Sequence, residues 1–495
     1  MKRTYIIATI AILTVTIEVA GTAADTGTIT VYSASKLSVD KFMETIHKFV
    51  DIRMEKGRDR YGDEHSPLFA SALDRNSLDL PGNPPDIAGI RWNDRSQWGG
   101  NPHHDENFYL MLYAMSEVSG DDRYATAADD ALQFFFKTQS STTGLYWWGE
   151  HAYWHFKDDE GGGDGYNTHE FFRPWVLWDE WYRLAPDEME KFALGLWDNQ
   201  IHDKETGTFS RHAGIIDRKT ECCWEFPRHG GFYIRTWSEV FKRTGNDTLL
   251  VAIETMVDYF ENRKDETSGA IPHADRDGYQ KLSASSNLSL ALDLIIGAGM
   301  VPAELSEKML KMADGIIEIF CSLDHNLAEG GSGGFASGAD ITTLEITGYT
   351  GLWPGGYGSS GDAQYANTSY ELYLRTGDER LKDLVVKSAL RFTAVDLPDP
   401  DSTYLQPKAF GQAIMTLLNG YRLSGQTDIL LKAYEMANFA ISLFWNKGSS
   451  LPRASTGVDH FEAITCGDTI ALALFELSML ITKPELNIHF EATDR

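Results

Sequence analysis

Three stretches of this chain concentrate the residue types that sugar binding, metal binding and acid–base chemistry use. TGLYWWGEHAYWHF (143–156) sets Tyr146, Trp147, Trp148, Tyr153 and Trp154 among Glu150, His151 and His155. A flat aromatic wall with polar groups between its rings suits a pyranose, so Trp147, Trp148, Tyr153 and Trp154 are candidates for substrate binding. THEFFRPW (168–175) adds His169, Glu170 and a further binding candidate, Arg173; FSRHAG (209–214) adds Arg211 and His212. Taken singly, each imidazole is more often a structural residue than a ligand. Together with Glu150 and Glu170 they form a donor set that suits Mn, Fe, Co, Ni or Zn better than Ca. The pair His103-His104 is a further candidate on the preceding loop, and the chain has neither an HExxH motif nor a CxxC pair.

A fourth cluster is basic. It comprises Arg211, Arg228-His229 and HADRDGYQK (273–281), with Arg276, Tyr279 and Lys281. Cations gathered on loops of an acidic chain suggest an anion site, with Arg228 and Tyr279 as binding residues; loop-anchoring ion pairs with nearby Asp residues are the alternative. A fifth stretch, GYTGLWPGGYGSSGDAQYA (348–366), mixes glycines and aromatics, as where a backbone approaches a ligand. Asp362 begins the helix there and can cap it.

The elements that must hold these loops form an internal repeat. Segments 106–136, 230–260, 363–393 and 411–441 each read as an apolar helix, a short Gly-containing turn and a second amphipathic helix. Weaker copies span 170–201 and 287–320, and lone helices near 38–56 and 467–482 can pair with each other. The predicted fold is all-α: an (α/α) toroid of six to seven helical hairpins in one domain over 25–495. Long loops at 87–105, 139–169, 202–230, 264–286, 322–362, 396–410 and 446–466 would line a cleft at one end. An open solenoid is the other way to stack hairpins, and the irregular repeat spacing favours the ring.

Composition bounds the partners. The chain has 495 residues, 42% hydrophobic and 23% charged, with 13 Trp, which are globular values. A net charge of −28 argues against nucleic acid, because phosphate binding needs a basic face. A few Arg and a metal in one cleft can reverse the sign locally for an acidic polysaccharide. Residues 1–24 read as a signal peptide, with Lys2 and Arg3 before an apolar run and small residues at 21–24. The mature protein is therefore expected to be secreted or periplasmic, with no membrane association after cleavage. Cys222, Cys223, Cys321 and Cys466 have no disulfide-framework spacing and read mostly as packing residues.

Over about 90–230, at GEHAYW, THEFFRPW and SRHAG, the chain resembles the pectate lyases of polysaccharide lyase family 2. That resemblance implies the same toroid, a divalent transition metal (Mn, Co or Ni) and β-elimination on polygalacturonate. In that family an Arg directly precedes the last metal His, as Arg211 precedes His212. The family's metal-binding Glu and first His lie about forty and about sixty residues earlier, which fits Glu170 and His151. The implied metal set is His151, Glu170 and His212, with Arg211 catalytic. The family's base is a downstream Lys supported by an Arg, and the basic loop offers Lys281 and Arg276. The chemistry this implies is a metal-assisted polysaccharide lyase acting on a uronate polymer. The alternatives are a toroid glycoside hydrolase, pairing Glu150 or Asp164 with Asp362 across the scissile bond, a sugar epimerase, and a non-catalytic carbohydrate-binding protein.

Overall fold

In a computed structural model, the described residues are 25–495 except 166–167, 170, 213, 218–223, 275, 277, 329, 331–332, 355–359 and 402–403; side chains are described from residue 39. The signal segment 1–24, Glu170, and the pair Cys222 and Cys223 lie outside the described residues. Of the other cysteines, Cys466 is buried and Cys321 half-buried, both as free thiols.

Helices dominate. Asp25–Lys56 is α1. Six hairpins follow: α2 Glu106–Ser119 with α3 Arg123–Thr138, α4 Trp178–Leu184 with α5 Pro186–Asn199, and α6 Pro227–Thr244 with α7 Asp247–Asn262. Next come α8 Ala284–Ala298 with α9 Ala303–Ser322, α10 Asp362–Thr376 with α11 Glu379–Thr393, and α12 Pro407–Ser424 with α13 Thr427–Phe444. The last helix, α14, is Gly467–Thr482 and packs on α1, completing a seventh pair between the two ends of the chain. Within four hairpins the first helix stops at a glycine in the left-handed region, at Gly120, Gly245, Gly377 and Gly425. Glycine takes that conformation without a Cβ clash. Asn246 and Asp378 then accept from the amides of Thr248 and Arg380 and start the second helix.

The first helix of each pair forms an inner wall. α6 packs on α8, α8 on α10, α10 on α12, α12 on α14, and α14 on α2. The backbones meet closely where glycine permits it: a Cβ at Gly231 would lie 3.1 Å from Leu290 Cα, and one at Gly411 would lie 2.7 Å from the Thr469 carbonyl carbon. Between α2 and α6 the wall is made differently. The expected first helix of the 170–201 hairpin begins only at Trp178, and segment 171–177 is irregular. Phe171 packs on Phe232 and Tyr233 of α6, with ring centroids 5.7 and 6.0 Å apart. The Val176 amide donates to Glu106 of α2 at 2.5 Å. The ring thus closes as the toroid that the repeat predicted.

The loops joining each second helix to the next first helix lie together, and they carry strands that the helical period does not announce. Ala72–Asp74 (β1) pairs with His460–Glu462 (β8). Gly99–Gly100 (β2), Ala152–His155 (β3) and Glu160–Gly163 (β4) form a second sheet; Lys281–Ser283 (β5), Ala336–Asp340 (β6) and Ile346–Tyr349 (β7) form a third.

Segment 487–495 returns through the ring along the inner helices. His489 Nε2 meets Glu371 of α10 at 2.7 Å and its Nδ1 lies 3.4 Å from Glu476 of α14. The Arg235 Nη2 of α6 donates to Glu491 at 3.1 Å. Thr493 donates to Asn107 of α2, Asp494 accepts from Thr469 of α14, and Gln412 of α12 donates to the Asp494 carbonyl. Arg495 grips Asp293 of α8 through both carboxylate oxygens, at 2.5 and 3.0 Å. Six inner helices therefore share one line of buried polar contacts.

Two outcomes follow from that line. Asp293→Leu leaves the Arg495 guanidinium buried without its carboxylate and should cost about 3–5 kcal/mol in urea unfolding. The two carboxylates hold His489 protonated and outweigh its burial, raising it to about 9 from 6.5. A raised His stabilises fully below its unfolded value and loses that contribution as pH climbs through the folded one. Stability should fall between about pH 6.5 and 9, and His489→Gln should flatten that stretch of the profile.

Candidate active site

The site is built on the hairpin β3–β4 and the loops after α5 and α7. His151 enters β3 with φ at 74°, an uncommon value for a side-chain-bearing residue. Its carbonyl accepts from the Asp164 amide at 2.6 Å, and a Cβ at Gly163 would sit 2.2 Å from that same oxygen. The glycine run 161–163 therefore lets the chain close over His151. Gly161 also gives room to Trp147, whose ring a Cβ there would strike at 2.0 Å.

His151, His169 and His212 stand in a row. The His169 ring centroid is 4.6 Å from that of His151 and 4.3 Å from that of His212, the latter pair stacked at 17°. His229, at the start of α6, is 6.2 Å from His169. Asp94, gripped by Arg91 through both oxygens at 2.9 and 3.0 Å, lies 2.8 Å from His151 Nε2. Glu150 Oε2 is 2.5 Å from His169 Nδ1, and His169 Nε2 is buried with no hydrogen-bond partner among the described residues.

Burial and nearby charge keep His169, His212 and His229 neutral. Burial first, then the charges of Arg211 and His151, push His169 down to about 4 against the pull of Glu150. Burial, with His169, Arg211 and His151, takes His212 to about 2. His229 is also far below its ordinary value, through burial and then Arg228 and Arg211. Burial works against ionisation of Glu150, but the His169 bond and the charges of His169, Arg211 and Arg228 win, so its carboxyl is held far below the usual range. A neutral imidazole such as His169, with an open lone pair beside an ionised carboxylate, is the chemistry of a transition-metal site. The orphaned His169 Nε2 fits that reading. Among the described residues no group of three His, Cys, Asp or Glu side chains is spaced to hold a metal ion. Glu170, the carboxylate of the expected set, lies outside them.

Next to the imidazoles is a platform of cations and rings. The Arg211 guanidinium lies 5.7 Å from the Trp224 ring and 4.7 Å from Phe226. Arg276 covers the other contact of Trp224 at 4.1 Å. Tyr279 is 5.7 Å from Trp224 and stacked on Phe226 at 6.2 Å, and His273 stacks on Phe226 at 4.0 Å. Lys281 opens β5, exposed, and its charge helps hold His273 down at about 4 after burial and Arg228. Trp224 and Phe226 were not singled out in the sequence. They lie in the loop leading to α6, between Arg211 and Arg228, and their adjacency to those cations was the available signal.

Several expected site residues belong elsewhere. Trp148 is fully buried against Phe135, Trp175, Trp181 and Phe192, so it is core and not a sugar-binding wall. Arg173 is 1% exposed and faces Asp468 and Asp494 at 3.6 and 3.5 Å, so it anchors the loop after Glu170. Tyr153 is buried between Gly99 and Gly162, while Trp147 and Trp154 are half-buried. His103 and His104 are buried, with His103 accepting from the Phe172 amide at 3.0 Å. Asp362 is buried between Thr350 and Arg391.

Against solved structures the likeness is distant. A sugar epimerase from a ruminal bacterium is 11% identical at a TM-score of 0.49, over 91% of this chain and 100% of that one. The cellobiose 2-epimerase of Bacillus thermoamylovorans is 9% identical at 0.48, over 89% and 99%. The α-1,6-mannanase of Salegentibacter is 10% identical at 0.44, over 89% and 99%. No helix among the described residues is long and apolar enough to cross a membrane. Residues 82–260, which hold the imidazole row, Arg211 and Trp224, match the family described as periplasmic pectate lyase.

Proposed function

We propose that this protein is a secreted or periplasmic polysaccharide lyase that cleaves a pectate-like uronate polymer by β-elimination. The observation that carries the reading is Arg211, mounted on Trp224 and Phe226 beside the neutral imidazoles of His169 and His212, inside the matched segment. The C5 proton of a uronate is weakly acidic beside an ionised carboxylate. Positive charge at that carboxylate stabilises the enolate-like charge that develops as the proton leaves. Arg211 supplies one such charge. A divalent transition metal (Mn, Co or Ni), held by His151, Glu170 and His212, would supply more as a Lewis acid when bound.

Arg276 and Lys281 complete the reading as supporting cation and base. Lys281 takes the C5 proton. The C5–H pair becomes the C4–C5 double bond, and the C4–O bond breaks with its electrons on the leaving oxygen, which takes up a proton. No water is consumed. Trp147, Tyr153, Trp154, Arg228 and Tyr279 are the candidates to hold the flanking sugars.

The test is the ultraviolet absorbance of the unsaturated product from polygalacturonate. A rise that a chelator abolishes and Mn or Co restores is the expected result. His212→Ala should lower kcat at least a hundredfold and reduce metal content in the isolated protein, in the range that loss of metal-site residues produces. Absorbance that never rises on polygalacturonate, alginate, ulvan or glycosaminoglycans would overturn the lyase reading; a rise indifferent to chelator would remove the metal.

A further inference from the structure

Trp92 is 42% exposed, yet it is firmly mounted. It opens a single helical turn, Trp92–Asp94, whose last residue contacts His151. Behind it the Arg95 guanidinium lies 4.9 Å from the ring. Arg95 is itself buried and fixed by Glu462 through both oxygens, at 2.6 and 2.5 Å, and by the Pro85 carbonyl at 3.0 Å. Trp98 meets the Trp92 ring edge-on at 5.9 Å. The row continues from Trp98 to His155 at 6.4 Å and from His155 to Tyr153 at 6.0 Å. β2 and β3 hold it in register, with Gly99 opposite His155 and the Phe156 amide donating to the Trp98 carbonyl.

An isolated exposed aromatic needs no explanation. This one differs in that a buried, doubly bonded Arg and a second Trp fix its orientation. It also shares a turn with the carboxylate that contacts the candidate metal-binding His151. A rigid indole loses little entropy on binding, and its face matches the C–H face of a pyranose. A polymer repeats that ring, so a line of aromatics can hold several residues at once. We infer that Trp92, backed by Trp98 and His155, is a distal subsite that stacks pyranose rings of the polysaccharide outside the reacting pair. This rests on the reading of the chain as a polysaccharide-active protein.

The experiment compares wild type, Trp92→Ala and Trp92→Phe, with Tyr182→Ala as a control of equal exposure on α4. Turnover is measured on polygalacturonate and on trigalacturonate, and mobility is measured in native gels containing polygalacturonate, xylan or mannan. Trp92→Ala should raise KM on the polymer about tenfold, the scale of one aromatic stacking contact. It should leave kcat and the trimer unaffected, and Trp92→Phe should recover most of the loss. Equal loss on trimer and polymer, or no change on either, would overturn the subsite. If no uronate is cleaved, the lyase reading fails separately and the gels decide: retardation of wild type that Trp92→Ala relieves and Tyr182→Ala does not keeps the subsite. Equal mobility of wild type and Trp92→Ala in all three gels rejects it.

Discussion

A closed ring of helices has an interior that must be filled, and here it is filled with charge. Arg495 on Asp293, Arg235 on Glu491 and His489 between Glu371 and Glu476 run down the axis on one returning segment. Each of these groups would be costly if left unpaired in so dry a place. Burial pushes Glu106 up to about 8 and Asp468 up to about 7 in the same region, even with Arg173 drawing both down. The inner helices cannot drift apart without stripping partners from several charges at once. Such pairing adds geometric definition more than net stability.

The same constraint reaches the site. Arg173 meets Asp494 from the returning segment and Asp468 from α14, and its Nη2 donates to Cys466. Arg173 belongs to the irregular stretch 171–177, which begins two residues after His169. The loop that carries the central imidazole is thus tied to the axis of the ring. Its other side is tied to the residues just before β3 by the paired amides and carbonyls of Glu150 and His169. The neutral imidazoles of His169 and His212, one ionised carboxylate and a guanidinium on aromatic rings are held by backbone pairing and buried charge and do not depend on flexible side chains.

Much of this was legible in the chain. Apolar residues at helical spacing, followed by Gly and then Asn or Asp, announce a helix stop and a helix start. The hairpins at 106–136, 230–260, 363–393 and 411–441 fall where that pattern puts them. Closure was legible too, because two unpaired helices remained at 38–56 and 467–482. The residue types of GEHAYW, THEFFRPW and SRHAG brought His151, His169, Arg211 and His212 forward, and the structure brings them side by side. The short strands in the loops were not legible, since two to five residues of Gly-rich backbone show no period.

Sequence alone determined the hairpin repeat, the acid surplus and which loops hold His, Arg and Trp, because these depend on local spacing and side-chain type. Only the tertiary structure decided which of those side chains face inward. Trp148 and Trp147 are neighbours in the chain, yet one is core and the other lies over glycine. Arg173 and Arg211 look alike in sequence, yet one locks the axis and the other sits on Trp224. Burial is set by what packs from distant segments, here α3 and α5 around Trp148 and the returning segment around Arg173. No local pattern carries that information.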